Sequence, residues 1–199
     1  MRIHRHLLGT DQLTIHRSAA IIRMPGNPGQ GWHTDWCGFL SQPPKHSGDV
    51  LNRGLRPSGA WFYLTGSRPA HGGLCVIEGS QVEGWSGPQG FKMMANKGSF
   101  YKEKEPEKAY SDFDVPGLVP LFTNPGDMIV FAHRTYHAAF PNQTDEIRLS
   151  CAIGFRARHH RIDIPWEIPE IGQQFLADLP LHLQQYTHGY TSIDLDWRG

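Results

Sequence analysis

Cysteine is scarce in this chain of 199 residues: three occur, at Cys37, Cys75 and Cys151, far apart and odd in number. No C-x-x-C is present, so neither a disulfide framework nor a zinc knuckle is indicated, and a reducing compartment is expected. Net charge is lacking too. The 19 Lys and Arg residues balance 19 Asp and Glu residues, which removes the electrostatic reason to expect nucleic acid or an acidic membrane as partner. The densest charged stretch, 102–108, alternates in sign and reads as a solvated loop. No apolar run approaches membrane-spanning length, and the basic segment 1–16 has no signal-like apolar centre. These absences leave a cytoplasmic protein with one domain over residues 1–199 and a monomer as the default state.

What is abundant points elsewhere. Glycine and proline are frequent (22 and 15 residues), and there are 12 histidines. Many turn formers between short apolar runs predict an all-β sandwich or barrel. The first candidate strand is 12–24, where Ile15, Ala19, Ile21 and Ile22 give a β-branched, partly alternating pattern. A Pro-Gly-Asn-Pro-Gly turn follows at 25–29. Further strands are expected over 31–39, 60–65, 73–77, 128–132, 136–140 and 147–155. Segments 41–58 and 78–120 read as loops, with a short strand near 99–102. Helical spacing is confined to the C-terminus, through Ile171, Phe175, Leu176, Leu179 and Leu183, with Pro180 as an interruption.

His33-Thr34-Asp35 is the first motif with chemical content. Residues i and i+2 of an extended segment project to one side, so an imidazole and a carboxylate can meet one metal ion. Chance alone gives about one H-x-[DE] in a chain of this composition, so the motif needs a partner. A second block follows about a hundred residues later. There Gly126-Asp127 precedes a strand that ends near His137, and after another turn the next strand carries Arg148. If those two strands pair as a hairpin, an always-charged fork approaches His137 across it. An arginine in the apolar run Ile-Arg-Leu-Ser-Cys-Ala-Ile is hard to explain unless it meets an anion. Two histidines and one carboxylate with open positions form the facial triad of non-haem Fe(II) oxygenases.

These elements resemble the phytanoyl-CoA dioxygenase family of 2-oxoglutarate oxygenases over about 33–155. That family's pattern has H-x-D (here His33 and Asp35) and a strand bearing tryptophan (Trp61). It continues with G-x-L-x-V-x-P-G-S-H, matched by Gly73-Leu74-Cys75-Val76-Ile77-Glu78-Gly79-Ser80-Gln81. A G-D then precedes a histidine by ten residues from the aspartate, and an arginine follows after eleven more, which is the spacing of Asp127, His137 and Arg148. The spacing also favours His137 over the neighbouring His133, which reads as a surface or supporting histidine. His4, His6, His159 and His160 are expected to be solvated.

The resemblance implies a mainly β fold, a cupin-like double-stranded β-helix (jelly roll), followed here by the C-terminal helical segment. It implies Fe(II) held by His33, Asp35 and His137, and 2-oxoglutarate paired with Arg148 and flanked by Trp61. Dioxygen is the oxidant, a small molecule the substrate, and succinate and carbon dioxide are released as the substrate is hydroxylated. Trp61 is equally readable as core filler. The loop 83–120, with Trp85, Phe91, Met93, Met94, Phe100 and Tyr101, reads either as a substrate lid or as a loop packed on its own domain. Departures from the pattern are Glu78, Gln81 and, more consequentially, Ala139. Many members have there a hydroxyl that helps to hold the cosubstrate, for which Thr65, Tyr63 or Thr135 are substitutes. The family's region before H-x-D is also usually longer than the 32 residues found here. Two other readings stay open on the residues: a cupin-like metal enzyme that does not use 2-oxoglutarate, and a jelly-roll binding module without catalysis.

Overall fold

In β10 (Arg148–Ala157) Arg148, Ser150, Ala152 and Gly154 are buried while the residues between them are less so, the signature of a strand with one face on a core. The structure is a computed structural model that describes residues 1–35, 58–82, 84–95, 98–105, 108–132, 134–158 and 170–187. Helix α1 (Arg2–Leu8) is followed by β1 (Leu13–Arg23), β2 (Gln30–His33), β3 (Ser58–Tyr63) and β4 (Leu74–Ile77). Next come β5 (Phe91–Met93), β6 (Phe100–Lys102), β7 (Leu118–Pro120), β8 (Met128–Ala132), β9 (His137–Ala139) and β10. Helices α2 (Glu170–Ala177) and α3 (Leu181–Gln184) follow, with Pro180 as the residue that caps α3.

Two four-stranded antiparallel sheets face each other, one ordered β1-β10-β3-β8 and the other β2-β9-β4-β7. This is the expected jelly roll with a C-terminal helical segment. One expectation fails. Strands β9 and β10 do not pair as a hairpin: β9 lies between β2 and β4, whereas β10 lies between β1 and β3. The turn between them carries the chain from one sheet to the other. Asn142, 1% exposed, holds that turn: its Nδ2 donates to the carbonyls of Arg23 (3.0 Å) and Glu146 (2.8 Å). Arg148 therefore faces His137 from the opposite wall rather than from the neighbouring strand.

A second difference is α1: helical spacing was expected only at the C-terminus and His4 was expected to be solvated, yet Arg2–Leu8 is helical and His4 is buried. Leu8 and His4 bury one side of the helix against Phe155, and Gly9 closes it in the left-handed conformation at φ 62°. With Leu13 and Tyr186 they form a satellite core, and the Ile15 N–H donates to the Tyr186 carbonyl at 2.7 Å. Helix α2, by contrast, has no buried residue, and Ile171 and Phe175 are exposed.

Several described side chains of the segment 84–120 pack into a core. Trp85, Phe91 and Met93 pack on a cluster of Trp32, Cys75, Ile77, Phe100 and Tyr136. Phe100 is fully buried, which contributes roughly 2 kcal/mol of apolar burial. Trp85, Phe91, Met93 and Phe100 thus pack on their own domain. Of the expected features, Cys37, Glu83, His133, His159 and His160, the end of the 31–39 strand and nearly all of the 41–58 loop lie outside the described residues. Among the described residues no helix is long and apolar enough to cross a membrane.

The turn from β1 to β2 approaches β9 closely at Gly29. It has φ 90°, and a Cβ added there would lie 2.5 Å from the Ala139 carbonyl oxygen. Gly29→Ala is therefore expected to destabilise the chain by about 2 kcal/mol or more. Thermal denaturation should show this as a fall in Tm of roughly 5 °C; an unchanged Tm would contradict this close approach.

Candidate metal centre and its cavity

His33 is the last residue of β2 and His137 the first of β9, and the two are register partners in one sheet. Their rings lie 4.2 Å apart, centroid to centroid. Asp35 follows two residues after His33, in a segment kept extended by a hydrogen bond from the Thr34 N–H to the Gly98 carbonyl (3.2 Å). Its Oδ1 is 3.9 Å from His33 Nε2 and 3.8 Å from His137 Nε2. Ligand atoms of the three residues all lie within 4.8 Å of one another.

The tautomers suit a cation. His33 Nδ1 donates to the Gly31 carbonyl (2.8 Å), and His137 Nδ1 donates to that of Thr135 (2.9 Å). A carbonyl can only accept, so both neutral imidazoles carry the lone pair on Nε2, the atom turned toward Asp35. A metal bound about 2.1 Å from each donor needs adjacent donors roughly 3 Å apart. The two carboxylate–imidazole separations are within an ångström of that, a distance side-chain rotation covers. The residues fit a divalent cation that accepts nitrogen and oxygen ligands.

Around this group is a cavity of about 50 Å³ of water-accessible space. One wall carries His33, His137, Gln30, Leu74 and Ala139; the other carries Ile21, Arg23, Trp61, Tyr63, Arg148 and Ser150, with Asp35 at the metal end. Arg148 is 3% exposed, and its Nη1 donates to Ser150 Oγ at 2.9 Å. Its guanidinium lies 5.3 Å from the centre of the Tyr63 ring and also hydrogen-bonds the Tyr63 hydroxyl. Burial lowers the Arg148 pKa, Tyr63 opposes that and Arg23 adds to it; an arginine starts so high that it stays charged. Burial likewise pushes the Tyr63 phenol up to about 12, with Arg148 and Arg23 pulling the other way. The phenol is thus a neutral donor across the physiological range.

Trp61 is a buried core residue. It lines the cavity, and it stacks on Phe131 at 4.3 Å and 14°, with Phe131 in turn 4.9 Å from the His137 ring. Of the three hydroxyls considered as substitutes at Ala139, only Tyr63 lines the cavity. Thr65 Oγ1 accepts the Leu149 N–H at 3.0 Å on the outside, and Thr135 is buried beside His137 through its carbonyl. Ser150, Gln30 and Arg23 escaped the sequence reading. Ser150 had a signal, since residue i+2 on a strand shares the face of Arg148. Arg23 had the same signal as Arg148, an arginine at one end of an apolar strand.

The family model described as phytanoyl-CoA dioxygenase (PhyH) matches residues 1–150. The chain belongs to the phytanoyl-CoA dioxygenase family. Solved structures share its fold. EctD from S. alaskensis, with 2-oxoglutarate and 5-hydroxyectoine, is 20% identical with a TM-score of 0.55, over 96% of this chain and 57% of its own. EvdO2 from Micromonospora carbonacea var. aurantiaca, complexed with 2-oxoglutarate, is 18% identical with a TM-score of 0.52, over 86% of this chain and 62% of its own. The non-haem α-ketoglutarate-dependent epimerase SnoN from nogalamycin biosynthesis is 18% identical with a TM-score of 0.52, over 78% and 51%. At these identities the likeness is one of fold, and the chain spans half to three-fifths of the length of these relatives. No curated protein matches the sequence.

Proposed function

We propose that this chain is an Fe(II)- and 2-oxoglutarate-dependent dioxygenase that hydroxylates a small molecule and releases succinate and carbon dioxide. The observation that carries the reading is the convergence of two imidazole Nε2 atoms and one carboxylate at one end of a cavity whose opposite wall holds a buried arginine. Family membership and the 2-oxoglutarate bound by EctD and EvdO2 favour the same cosubstrate.

In this reading His33, Asp35 and His137 would hold the metal. When bound, Fe(II) supplies the activation of dioxygen that no amino-acid side chain can provide. Carbonyls of Gly31 and Thr135 fix the imidazole tautomers, which orients the donors and raises their basicity. Arg148 takes the distal carboxylate of 2-oxoglutarate, and Ser150 and Tyr63 hold its fork in place before the ligand arrives. Trp61 flanks the cosubstrate and, through Phe131, limits movement of the His137 ring. Leu74, Ile21 and Ala139 keep water from the keto-acid site. The whole of residues 1–199 acts as one oxygenase domain, monomeric and cytoplasmic, on a small molecule and without a nucleic-acid or membrane partner. A net charge of zero supports the last two points.

The direct test is succinate formation by anaerobically Fe(II)-loaded protein given 2-oxoglutarate and air. Slow turnover without substrate, absent when iron is chelated, is the expected result. If the loaded protein neither forms succinate nor binds 2-oxoglutarate in a metal-dependent way, the oxygenase reading fails.

A further inference from the structure

The metal triad and Arg148 leave one charged side chain of the cavity unused. Arg23, at the end of β1, is the register partner of Arg148 in β10. Directly opposed residues on antiparallel strands project to the same face with Cβ atoms about 5 Å apart, and like charges in that position repel. Both guanidiniums line the cavity, and no described residue forms a salt bridge with either. Burial and mutual repulsion both act against the Arg148 charge, and burial acts against that of Arg23.

Arg23 is nevertheless held in place. Its Nη1 donates to Asn27 Oδ1 (3.0 Å) and the Gly29 carbonyl (3.3 Å), and its Nη2 donates to Gln30 Oε1 (2.8 Å). All three acceptors are neutral. They position the guanidinium without neutralising it, and they leave its buried Nε–H without a protein acceptor. The buried Nε–H of Arg148 is in the same condition. Two pre-positioned cations side by side, each with an unused donor, make a site for an anion that touches both. The Tyr63 hydroxyl, whose phenol feels both arginines, adds a neutral donor to that site.

We infer that Arg23 and Arg148 form a two-arginine clamp that grips one carboxylate together, so that Arg23 does here the work of the hydroxyl missing at Ala139. The inference rests on the oxygenase reading for the identity of that carboxylate, the distal group of 2-oxoglutarate, but not for the existence of an anion site. Charge accounting supports it. A divalent metal with Asp35 and two arginines leaves the cavity at +3, and a dianion reduces that to +1, whereas a monoanion leaves it at +2.

The test is calorimetric binding to the full chain, loaded with Mn(II) under nitrogen or left metal-free. The probes are 2-oxoglutarate, glutarate (two carboxylates, no keto group) and 2-oxobutyrate (keto acid, no distal carboxylate). Arg23→Met is expected to weaken 2-oxoglutarate and glutarate at least tenfold and to leave 2-oxobutyrate within twofold. Because the arginines share one ligand, Arg23→Met combined with Arg148→Met should be little weaker than the weaker single variant. An Arg23→Met protein that binds 2-oxoglutarate like wild type overturns the clamp and leaves Arg23 for an anionic group of the substrate. Equal loss for 2-oxobutyrate and 2-oxoglutarate also overturns it, since a merely structural Arg23 would act on both. Wild type that binds glutarate through both arginines but never 2-oxoglutarate would keep the clamp and sink the oxygenase reading. Wild type that binds neither dicarboxylate would sink both.

Discussion

Asp35→Asn is expected to lower the affinity for Fe(II) or Mn(II) by more than 100-fold and to abolish succinate formation, while leaving the metal-free protein at least as stable as wild type. The substitution keeps shape and removes only charge and a lone-pair donor. Asp35 is 4% exposed in its side chain and sits 3.8–3.9 Å from two imidazole nitrogens that are acceptors, not donors, in the tautomers their backbone partners impose. A buried carboxylate beside two lone-pair nitrogens makes a strong site for a divalent cation. Losing a residue that merely supports a metal ligand typically costs 10- to 100-fold in metal affinity, so losing the one anionic ligand should exceed that range. His137→Ala should behave alike for metal but also lower Tm, because it empties a buried position against Phe131. Metal content after gel filtration, metal titration calorimetry and melting curves separate these outcomes. An Asp35→Asn protein that keeps wild-type metal affinity would remove the triad from the mechanism.

How far the fold was legible varies from element to element. Strand β1 was expected over 12–24 and runs Leu13–Arg23, because a β-branched run with one inward face has few other ways to bury itself. The break at Pro180 between α2 and α3 follows from proline chemistry alone. The β9–β10 relation was misread for a physical reason. Two strands joined by a short turn usually pair, and nothing local in Pro141-Asn142-Gln143-Thr144 announces that the chain changes sheets there. That outcome is set by long-range bonds of Asn142 to Arg23 on β1, a partner 119 residues away. Helix α1 was missed because its apolar side is two residues wide, His4 and Leu8, and takes its stability from Phe155 at the far end of the chain.

The site shows the same division. The grouping of His33, Asp35, His137 and Arg148 around one cavity was readable because ligand chemistry restricts residue type and spacing. The environment that prepares them was not. Gln30 donates to His33 Nε2 at 3.2 Å while accepting from Arg23, a connection that no spacing encodes. A metal held by His33 Nε2 would compete with the Gln30 amide for the same lone pair. Segment 83–120 is the ambiguous case: an aromatic-rich stretch reads equally as a lid or as a packed loop in sequence, and only the fold shows Phe100 buried and Trp85 packed against it and Tyr136.

Arg148→Met should raise the Kd for 2-oxoglutarate about 100-fold with little effect on metal affinity, and Arg148→Lys should raise it about tenfold. Hydrogen bonds between charged groups contribute about 1.5–3 kcal/mol each, and 1.4 kcal/mol is tenfold in affinity. One well-placed fork that meets a carboxylate in a buried site therefore accounts for the methionine figure. Lysine keeps the charge but not the planar geometry, and it cannot donate at once to Ser150 Oγ, the Tyr63 hydroxyl and a ligand as the guanidinium can. The protein should tolerate both changes. Each removes or loosens a buried cation that repels Arg23, and replacing such charges with packed apolar groups is often neutral or stabilising. A structural Arg148 would give a different pattern, with a lower Tm and metal affinity falling in parallel with 2-oxoglutarate affinity. Binding calorimetry with Mn(II)-loaded protein, set beside melting curves, separates the two. An unchanged Kd in Arg148→Met would move the cosubstrate carboxylate elsewhere in the cavity, with Arg23 as the remaining cation to receive it.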